Sequence, residues 1–204
     1  MAQITHGLRA VLSNPHLYSA FQSMMGAHRA RRRIVSENIR PYPGMKILDI
    51  GCGPAEILFY LPDVEYWGVD ISEPYIKKAK QNHLTRGHFY CKELTSDDIE
   101  EFPPFDVVLA LGVLHHMDDE TAGAVLRMAR KALAVGGRLV TVDPCFDESQ
   151  NAISRFLVRN DRGQNVRTKA KYTELAAGSF TEIVAEIHHR VWIPYTNCVM
   201  ECSG

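Results

Sequence analysis

The seven residues Phe105 to Leu111, FDVVLAL, are apolar at every position but one and show no alternation. A strand with one wet face alternates apolar and polar side chains, so this run belongs to a strand covered on both faces. That is the signature of a parallel sheet with helices above and below it. A parallel neighbour cannot be reached by a tight turn, and the crossover it requires is normally a helix.

The rest of the chain supplies these crossovers. Pro41-Tyr42-Pro43-Gly44 is a breaker, followed by a short apolar strand, Lys46 to Ile50. Pro54 suits the first turn of a helix, which Pro62 must end. Tyr66 to Asp70 reads as a second strand, Ser72 as the cap of a helix running to about Asn82, and His88 to Cys91 as a third strand. After FDVVLAL comes a helix from about Glu120 to Leu133, with Val125, Leu126, Ala129 and Leu133 on one face. Gly136-Gly137 then turns the chain into a strand at Arg138 to Val142. Beyond Pro144 lie a polar stretch, a helix to Gly178, and two β-like runs, Ile183 to Ile187 and Val191 to Met200, expected to form an antiparallel hairpin that closes the sheet. Serial β-α units predict a doubly wound α/β sheet.

The chain has 204 residues, 46% hydrophobic and 23% charged, with a net charge of −1, which fits one domain with a three-layer core. This balance argues against a general nucleic-acid binder. Met1 to Ser36 contains no acid but holds Arg9, Arg29, Arg31, Arg32 and Arg33, as a transit peptide or membrane-facing segment would. Helical spacing of Tyr18, Phe21 and Met25, then Arg32, Val35 and Ile39, equally fits an amphipathic helix packed on its own domain. With no apolar run of membrane-spanning length and no signal-peptide core, a cytoplasmic protein is expected. Cys52, Cys91, Cys145, Cys198 and Cys202 are odd in number and lack a C-x-x-C pair, as buried thiols of a reducing compartment would. His188, His189, Cys198 and Cys202 could be grouped as metal ligands, but apolar alternation dominates there and no metal is expected.

The turn after the first strand, LDIGCGPAE, begins like the dinucleotide fingerprint G-x-G-x-x-G with Gly51 and Gly53, but Glu56 occupies the third glycine position. A carboxylate there would repel a pyrophosphate by about 1 kcal/mol in water, and more in a shielded turn.

Four elements in order, LDIGCG, the acid of GVD about 20 residues later, FDVVLALGVLHHMDD and GGRLVTVDP, make the chain resemble the class I S-adenosylmethionine-dependent methyltransferases from about Gly44 onward. The resemblance implies a Rossmann-like seven-stranded sheet, mostly parallel with an antiparallel C-terminal hairpin strand. It divides a single domain, 1–204, into an N-terminal helical lid (1–43), a cofactor-binding core (44–143) and an acceptor-side segment with closing strands (144–204). It also implies S-adenosylmethionine as cofactor, with S-adenosylhomocysteine as product. That ligand carries a carboxylate, an ammonium and a sulfonium but no phosphate, which suits a turn bearing Glu56. Asp49, Gly51, Cys52 and Gly53 would surround its methionine part, Asp49 facing the cationic groups. Asp70 would accept the ribose hydroxyls, Ile71 would lie against the adenine, Glu93 beside Leu94 would meet the adenine amino group, and Leu111 and Gly112 would offer backbone. Lys92 departs from the pattern, in which glycine is commoner before this acid.

Transfer to a hydroxyl calls for a base, and histidine is the economical one. His115 and His116, after the fourth strand, and Asp143, at the tip of the fifth, are the candidate catalytic groups. Arg162 and Arg167 in RNDRGQNVR suit a carboxylate or phosphate clamp or else an exposed loop, and Tyr18, Phe21, Gln22 and Arg29 would reach the acceptor from the lid. The expected activity is O-methylation of a small hydroxylated acceptor, a sugar, natural product or polysaccharide precursor, by a monomer or homodimer. The alternatives are a nicotinamide-dependent oxidoreductase, against which the missing third glycine argues, and a non-catalytic cofactor-binding partner protein.

Overall fold

The structure is a computed structural model and describes residues 27–190 and 195–204. Strands β1 (Lys46–Ile50), β2 (Glu65–Asp70), β3 (His88–Cys91), β4 (Phe105–Leu111) and β5 (Leu133–Phe146) run parallel. A two-residue β6 (Arg167–Thr168) pairs with the end of β5. β8 (Tyr195–Ser203) lies antiparallel between β5 and β7 (Glu182–Arg190), so the order is 3-2-1-4-5-8-7. The expected closing hairpin is thus present. Its antiparallel strand sits inside the sheet, and residues 191–194 lie outside the described residues.

Both faces of the sheet are covered, as the unbroken FDVVLAL run requires. Successive strand residues point to opposite sides. Leu48, Val108 and Ala110 pack under α3 (Ser96–Glu101), α4 (Asp119–Ala132) and α6 (Lys169–Ala177). Ile47, Val107, Leu109 and Val140 pack under α1 (Ala27–Ile34), its continuation and α2 (Glu73–His83). Among the described residues no helix is long and apolar enough to cross a membrane.

Helix ends follow local chemistry. Asp118 accepts the Thr121 N–H at 2.9 Å to start α4, whose first turn carries Asp119 and Glu120 and whose last turn carries Arg130 and Lys131, in line with the helix dipole. Thr95 and Asp98 close a reciprocal capping box on α3. Asn151 caps α5 (Ala152–Arg159).

Two expectations are corrected. The element after Pro54 is only a 3₁₀ segment, Glu56–Tyr60, because Ala55 is left-handed at φ +54° and an α-helix cannot propagate through such a residue. β5 begins at Leu133, not Arg138. Leu133 pairs with Phe105, the chain bulges through Ala134 to Gly137, and pairing resumes at Val107 with Arg138. A Cβ on Gly137 would lie 2.8 Å from the Phe105 carbonyl oxygen, so the bulge needs glycine there. Residues 34–39 contribute to the core. α1 runs into a π-helical turn, Val35–Ile39, with Ile34, Val35 and Ile39 buried. Asn38 and Arg40 anchor that turn to Glu201 on β8, and Arg138 donates to the Asn38 carbonyl.

Candidate active site

In an open parallel sheet, loops leave the carboxyl ends of the strands and ligands bind where the strand order reverses. Here that point is between β1 and β4, and both loops singled out in the sequence emerge there. The first is Gly51-Cys52-Gly53. Gly51 and Gly53 are left-handed at φ +70° and +54°, and a Cβ on Gly51 would meet Val113 Cγ2 at 2.7 Å. The Gly51 and Cys52 amides donate to the Val69 carbonyl, tying the turn to β2. Cys52 is half-buried over Gly68, where a Cβ would come within 2.8 Å of its sulfur, and burial drives its thiol far above the usual range. It is a filler and no nucleophile.

Asp49 lies beneath this turn and is 2% exposed. Its Oδ2 accepts the Tyr66 hydroxyl at 2.5 Å, while Oδ1 is buried with no partner among the described residues. Burial pushes the carboxyl up to about 7, the Tyr66 hydrogen bond opposing and the Asp70 charge adding to that rise.

Asp70, at the end of β2, bridges two backbones. Its Oδ2 accepts the Gly53 N–H at 2.9 Å and its Oδ1 the Ser72 N–H at 2.8 Å. Ser72 occupies the cap position of α2 but makes no side-chain cap, so the expected division of labour is reversed and Asp70 serves this turn. A carboxylate has about four acceptor sites, and two remain. Next to it Ile71 is 53% exposed, an apolar surface at the edge of the crevice. Glu93 is exposed and Leu94 buried at the end of β3. The preceding Lys92 pairs with Asp98.

The residue at the third glycine position is neutralised: Glu56 forms an ion pair with Arg31 of α1. Glu56 therefore does not present the bare charge against a diphosphate that its sequence position suggests.

The second loop follows β4. Leu111 is half-buried, and Gly112, at φ +76°, donates its N–H to the Val142 carbonyl at 2.7 Å. A 3₁₀ turn, Leu114–His116, then sends the two histidines different ways. His115 is 5% exposed. Its Nδ1 meets Asp143 Oδ1 at 2.8 Å, its Nε2 meets Asp161 Oδ1 at 3.2 Å, and its backbone N–H donates to Asp143 Oδ1 at 3.1 Å. Only the imidazolium satisfies both carboxylates. Burial alone would lower its basicity, but the two carboxylates outweigh it and hold the ring at about 9. Both ring nitrogens of His115 are thus engaged by carboxylates. Asp143, 1% exposed, is engaged by His115 through Oδ1, while its Oδ2 is buried with no partner among the described residues. His116 is half-buried, its ring centroid 4.0 Å from that of His115. Burial and the His115 charge hold it down to about 4, so it is neutral at neutral pH.

The stretch 160–166 explains the second carboxylate. Asp161 accepts from His115, from the Gly163 N–H at 2.8 Å and from the Tyr195 hydroxyl, and the Asn165 N–H donates to the His115 carbonyl at 3.0 Å. A Cβ on Gly163 would come within 2.1 Å of His115 Cδ2. The loop therefore docks directly on His115 and walls an open recess of about 230 Å³ with Phe146, Val158, Arg159 and Gln164. Asp161, Gly163 and Tyr195 were not singled out in the sequence. The D-x-G turn was the available signal, but the partner of Asp161 and Gly163, His115, lies more than 40 residues earlier, and Tyr195 meets Asp161 from 34 residues away.

Arg167 is not a clamp. It is 7% exposed, with Nε on Asp119 at 2.9 Å and the terminal nitrogens on the carbonyls of Leu114, Asn165 and Met117. It fastens the histidine turn to the loop and α4. Arg162 is half-buried, and its charge acts on His116. Arg29 is exposed on α1, and Tyr18, Phe21 and Gln22 lie outside the described residues. No cluster of metal-binding side chains occurs among the described residues.

Residues 48–139 match the family model described as Methyltransferase domain. Phosphoethanolamine N-methyltransferase 3 of Arabidopsis thaliana is 27% identical over 150 residues, covering 71% of this chain and 30% of that protein. The 27-O-demethylrifamycin SV methyltransferase of Amycolatopsis mediterranei (strain S699) is 36% identical over 107 residues, covering 49% of this chain and 39% of the relative. Among solved structures, magnesium protoporphyrin IX methyltransferase from Synechocystis PCC 6803 with bound S-adenosylhomocysteine superposes with a TM-score of 0.68 at 16% identity, covering 97% of this chain and 98% of that one. That likeness concerns the fold. The chain spans 29% to 41% of the length of the curated relatives it matches. The motif order read from the sequence, realised around the β1/β4 crevice, and the match of residues 48–139 to the methyltransferase domain model make the chain similar to the class I S-adenosylmethionine-dependent methyltransferases.

Proposed function

We propose that this protein transfers the methyl group of S-adenosylmethionine to a hydroxyl of a small-molecule acceptor, leaving S-adenosylhomocysteine. The observation that carries this reading is the convergence at the β1/β4 switch point of the Gly51-Gly53 turn, the Asp70 carboxylate and the His115-His116 turn. The residues fit the cofactor: Asp49 keeps one buried oxygen without a partner, the complement of an ammonium group, and no side chain other than Cys52 projects from the glycine turn. The cofactor supplies an already activated methyl group on a sulfonium.

The chain's own contribution is to hold and orient. Asp70 keeps two acceptor positions for the ribose hydroxyls. Ile71 covers the adenine, with Glu93 and Leu94 at its edge, and Leu111 and Gly112 line the opposite side with backbone. Burial of both reactants excludes water, and alignment supplies much of the acceleration for an in-line displacement. His116, neutral and with no hydrogen bond to its ring among the described residues, is the group that would take the hydroxyl proton. Because it is a weak base, it suits a readily ionised hydroxyl, such as a phenol or enol, better than the sugar alcohol expected from sequence. Arg162, close to His116, is the acceptor-side contact, and Arg29 with Tyr18, Phe21 and Gln22 remains a proposal for the outer wall. The relatives include both N- and O-methyltransferases, so a nitrogen acceptor is the second reading.

The test is a thermal-shift titration with S-adenosylmethionine, S-adenosylhomocysteine, NAD and NADP, run beside Asp70→Ala. A ligand at 100 times its Kd stabilises by about 2.7 kcal/mol, a rise of roughly 5 to 10 °C at this size. A shift with the adenosyl ligands alone, lost in Asp70→Ala, supports the reading. A shift with NAD, or none with the adenosyl ligands, rejects it.

A further inference from the structure

The His115 ring sits at the junction of four segments that are far apart in sequence: the 3₁₀ turn after β4, the tip of β5, the 160–166 loop and the start of β8. Its two nitrogens face two carboxylates, Asp143 Oδ1 at 2.8 Å and Asp161 Oδ1 at 3.2 Å, and it is 5% exposed. Asp161 is in turn held by the Tyr195 hydroxyl and the Gly163 N–H. The loop makes a separate backbone bond to His115 through Asn165, and Gly163 leaves space for the imidazole that no side chain would leave. A histidine that only filled a core would need none of this.

We propose that His115 is a charged positioning residue that docks the 160–166 loop against the acceptor side of the site and keeps the adjacent His116 neutral. The inference deepens the methyltransferase reading and rests on it for the meaning of "acceptor side". Two consequences follow from one ion. Docking draws on the positive charge, because with a neutral ring one of the two carboxylates loses its imidazole donor in a shielded place and keeps only its remaining hydrogen bonds. The same charge, 4.0 Å away between ring centroids, opposes protonation of His116. The other charges that act on His116 are Asp161 and Arg162 of the loop and Asp143 of β5. The two carboxylates favour its protonation, and Arg162 and His115 oppose it. The paired histidines thus divide the work, His115 carrying a permanent charge and His116 carrying the lone pair.

The experiment uses the full chain and three readouts that need no acceptor. The variants are His115→Gln and Asp161→Asn, each checked for folding and for the thermal shift given by S-adenosylhomocysteine. Tryptic cleavage after Arg162 reports loop docking, because the Arg162–Gly163 bond is reached only when the loop lifts. Cleavage is expected to rise about tenfold or more in both variants while the S-adenosylhomocysteine shift is retained. NMR titration of the imidazole Cε1–H signals reports the charges. In the wild type, His115 should titrate near pH 9 and His116 near pH 4. In His115→Gln the His116 midpoint should move up toward the ordinary histidine range, which a purely structural role for His115 would not produce. Should His115→Gln fail to fold, Asp161→Asn still decides: the His115 midpoint must fall and cleavage must accelerate. A wild-type His115 that is neutral at pH 7.5, an unmoved His116 midpoint in folded His115→Gln, or unchanged cleavage in Asp161→Asn overturns the proposal. A wild type without any S-adenosylhomocysteine shift instead overturns the methyltransferase reading, and leaves the titration and cleavage results to judge His115 independently.

Discussion

Asp49 is predicted to weaken the fold that it serves. Its carboxyl is 2% exposed, has one hydrogen bond from Tyr66 and one oxygen with none, and is held at about 7 by burial against an ordinary 3.8. Between those two values the unfolded chain releases a proton that the folded chain retains. Stability from this group is therefore fully present below pH 3.8 and is lost as pH rises through 7. Integrating the difference gives a cost of about 2 kcal/mol at pH 5 and about 4 kcal/mol at pH 8. Asn in its place cannot ionise and keeps an oxygen for Tyr66, but leaves a buried amide donor unpaired, a penalty of about 1 to 3 kcal/mol that does not vary with pH. The absolute effect of Asp49→Asn thus depends on that penalty, whereas its change with pH does not. The variant should gain about 2 to 3 kcal/mol relative to wild type between pH 5 and pH 8, or roughly 5 to 10 °C of Tm difference. The assay is urea denaturation of both proteins across that range without ligand. At the same time the variant should lose affinity for S-adenosylmethionine, because the unpartnered oxygen is the one available to an ammonium. A difference between the two proteins that is flat with pH, or that falls as pH rises, would refute the reasoning.

The remaining predictions concern the acceptor side. His115, held at about 9 against 6.5 by Asp143 and Asp161 despite its burial, contributes stability that is complete below pH 6.5 and is lost as pH rises through 9. Wild type should therefore lose up to about 3 kcal/mol between pH 7 and 10 in denaturant melts, and His115→Gln should lose less. Gly163→Ala, which forces a Cβ to within 2.1 Å of the His115 ring, should destabilise by about 1 to 3 kcal/mol and speed tryptic cleavage after Arg162. Arg167→Lys removes a fork that binds three carbonyls and Asp119, and should cost about 2 to 4 kcal/mol by urea denaturation while leaving S-adenosylhomocysteine affinity within about twofold. Once an acceptor is found, His116→Ala should lower kcat by about 10² or more, and a smaller loss would mean that the acceptor ionises without it.

How much of this was legible in the sequence depended on the range over which each feature is determined. The β-α series was legible because burial on both faces leaves its mark in seven consecutive residues, and Gly51, Gly53 and Gly112 each take the left-handed φ that their turns demand. The helix after Pro54 was misread because its fate is decided by Ala55, whose backbone conformation no propensity announces. Charges were the least legible. Glu56 looks like an anion barrier until Arg31 from α1 neutralises it, and Arg167 looks like a ligand clamp until Asp119, Met117 and Leu114, 48 to 53 residues earlier, are brought to it. In each case the side chain's type states what it can bind, but the partner comes from a distant segment. The His115-His116 pair shows the limit of such reading. Two identical side chains, adjacent in sequence and both pushed down by burial, part ways because one faces two carboxylates that raise it and the other faces that ion. Which histidine could act as a base was therefore a question about Asp143 and Asp161, and Asp161 was reachable only through the fold.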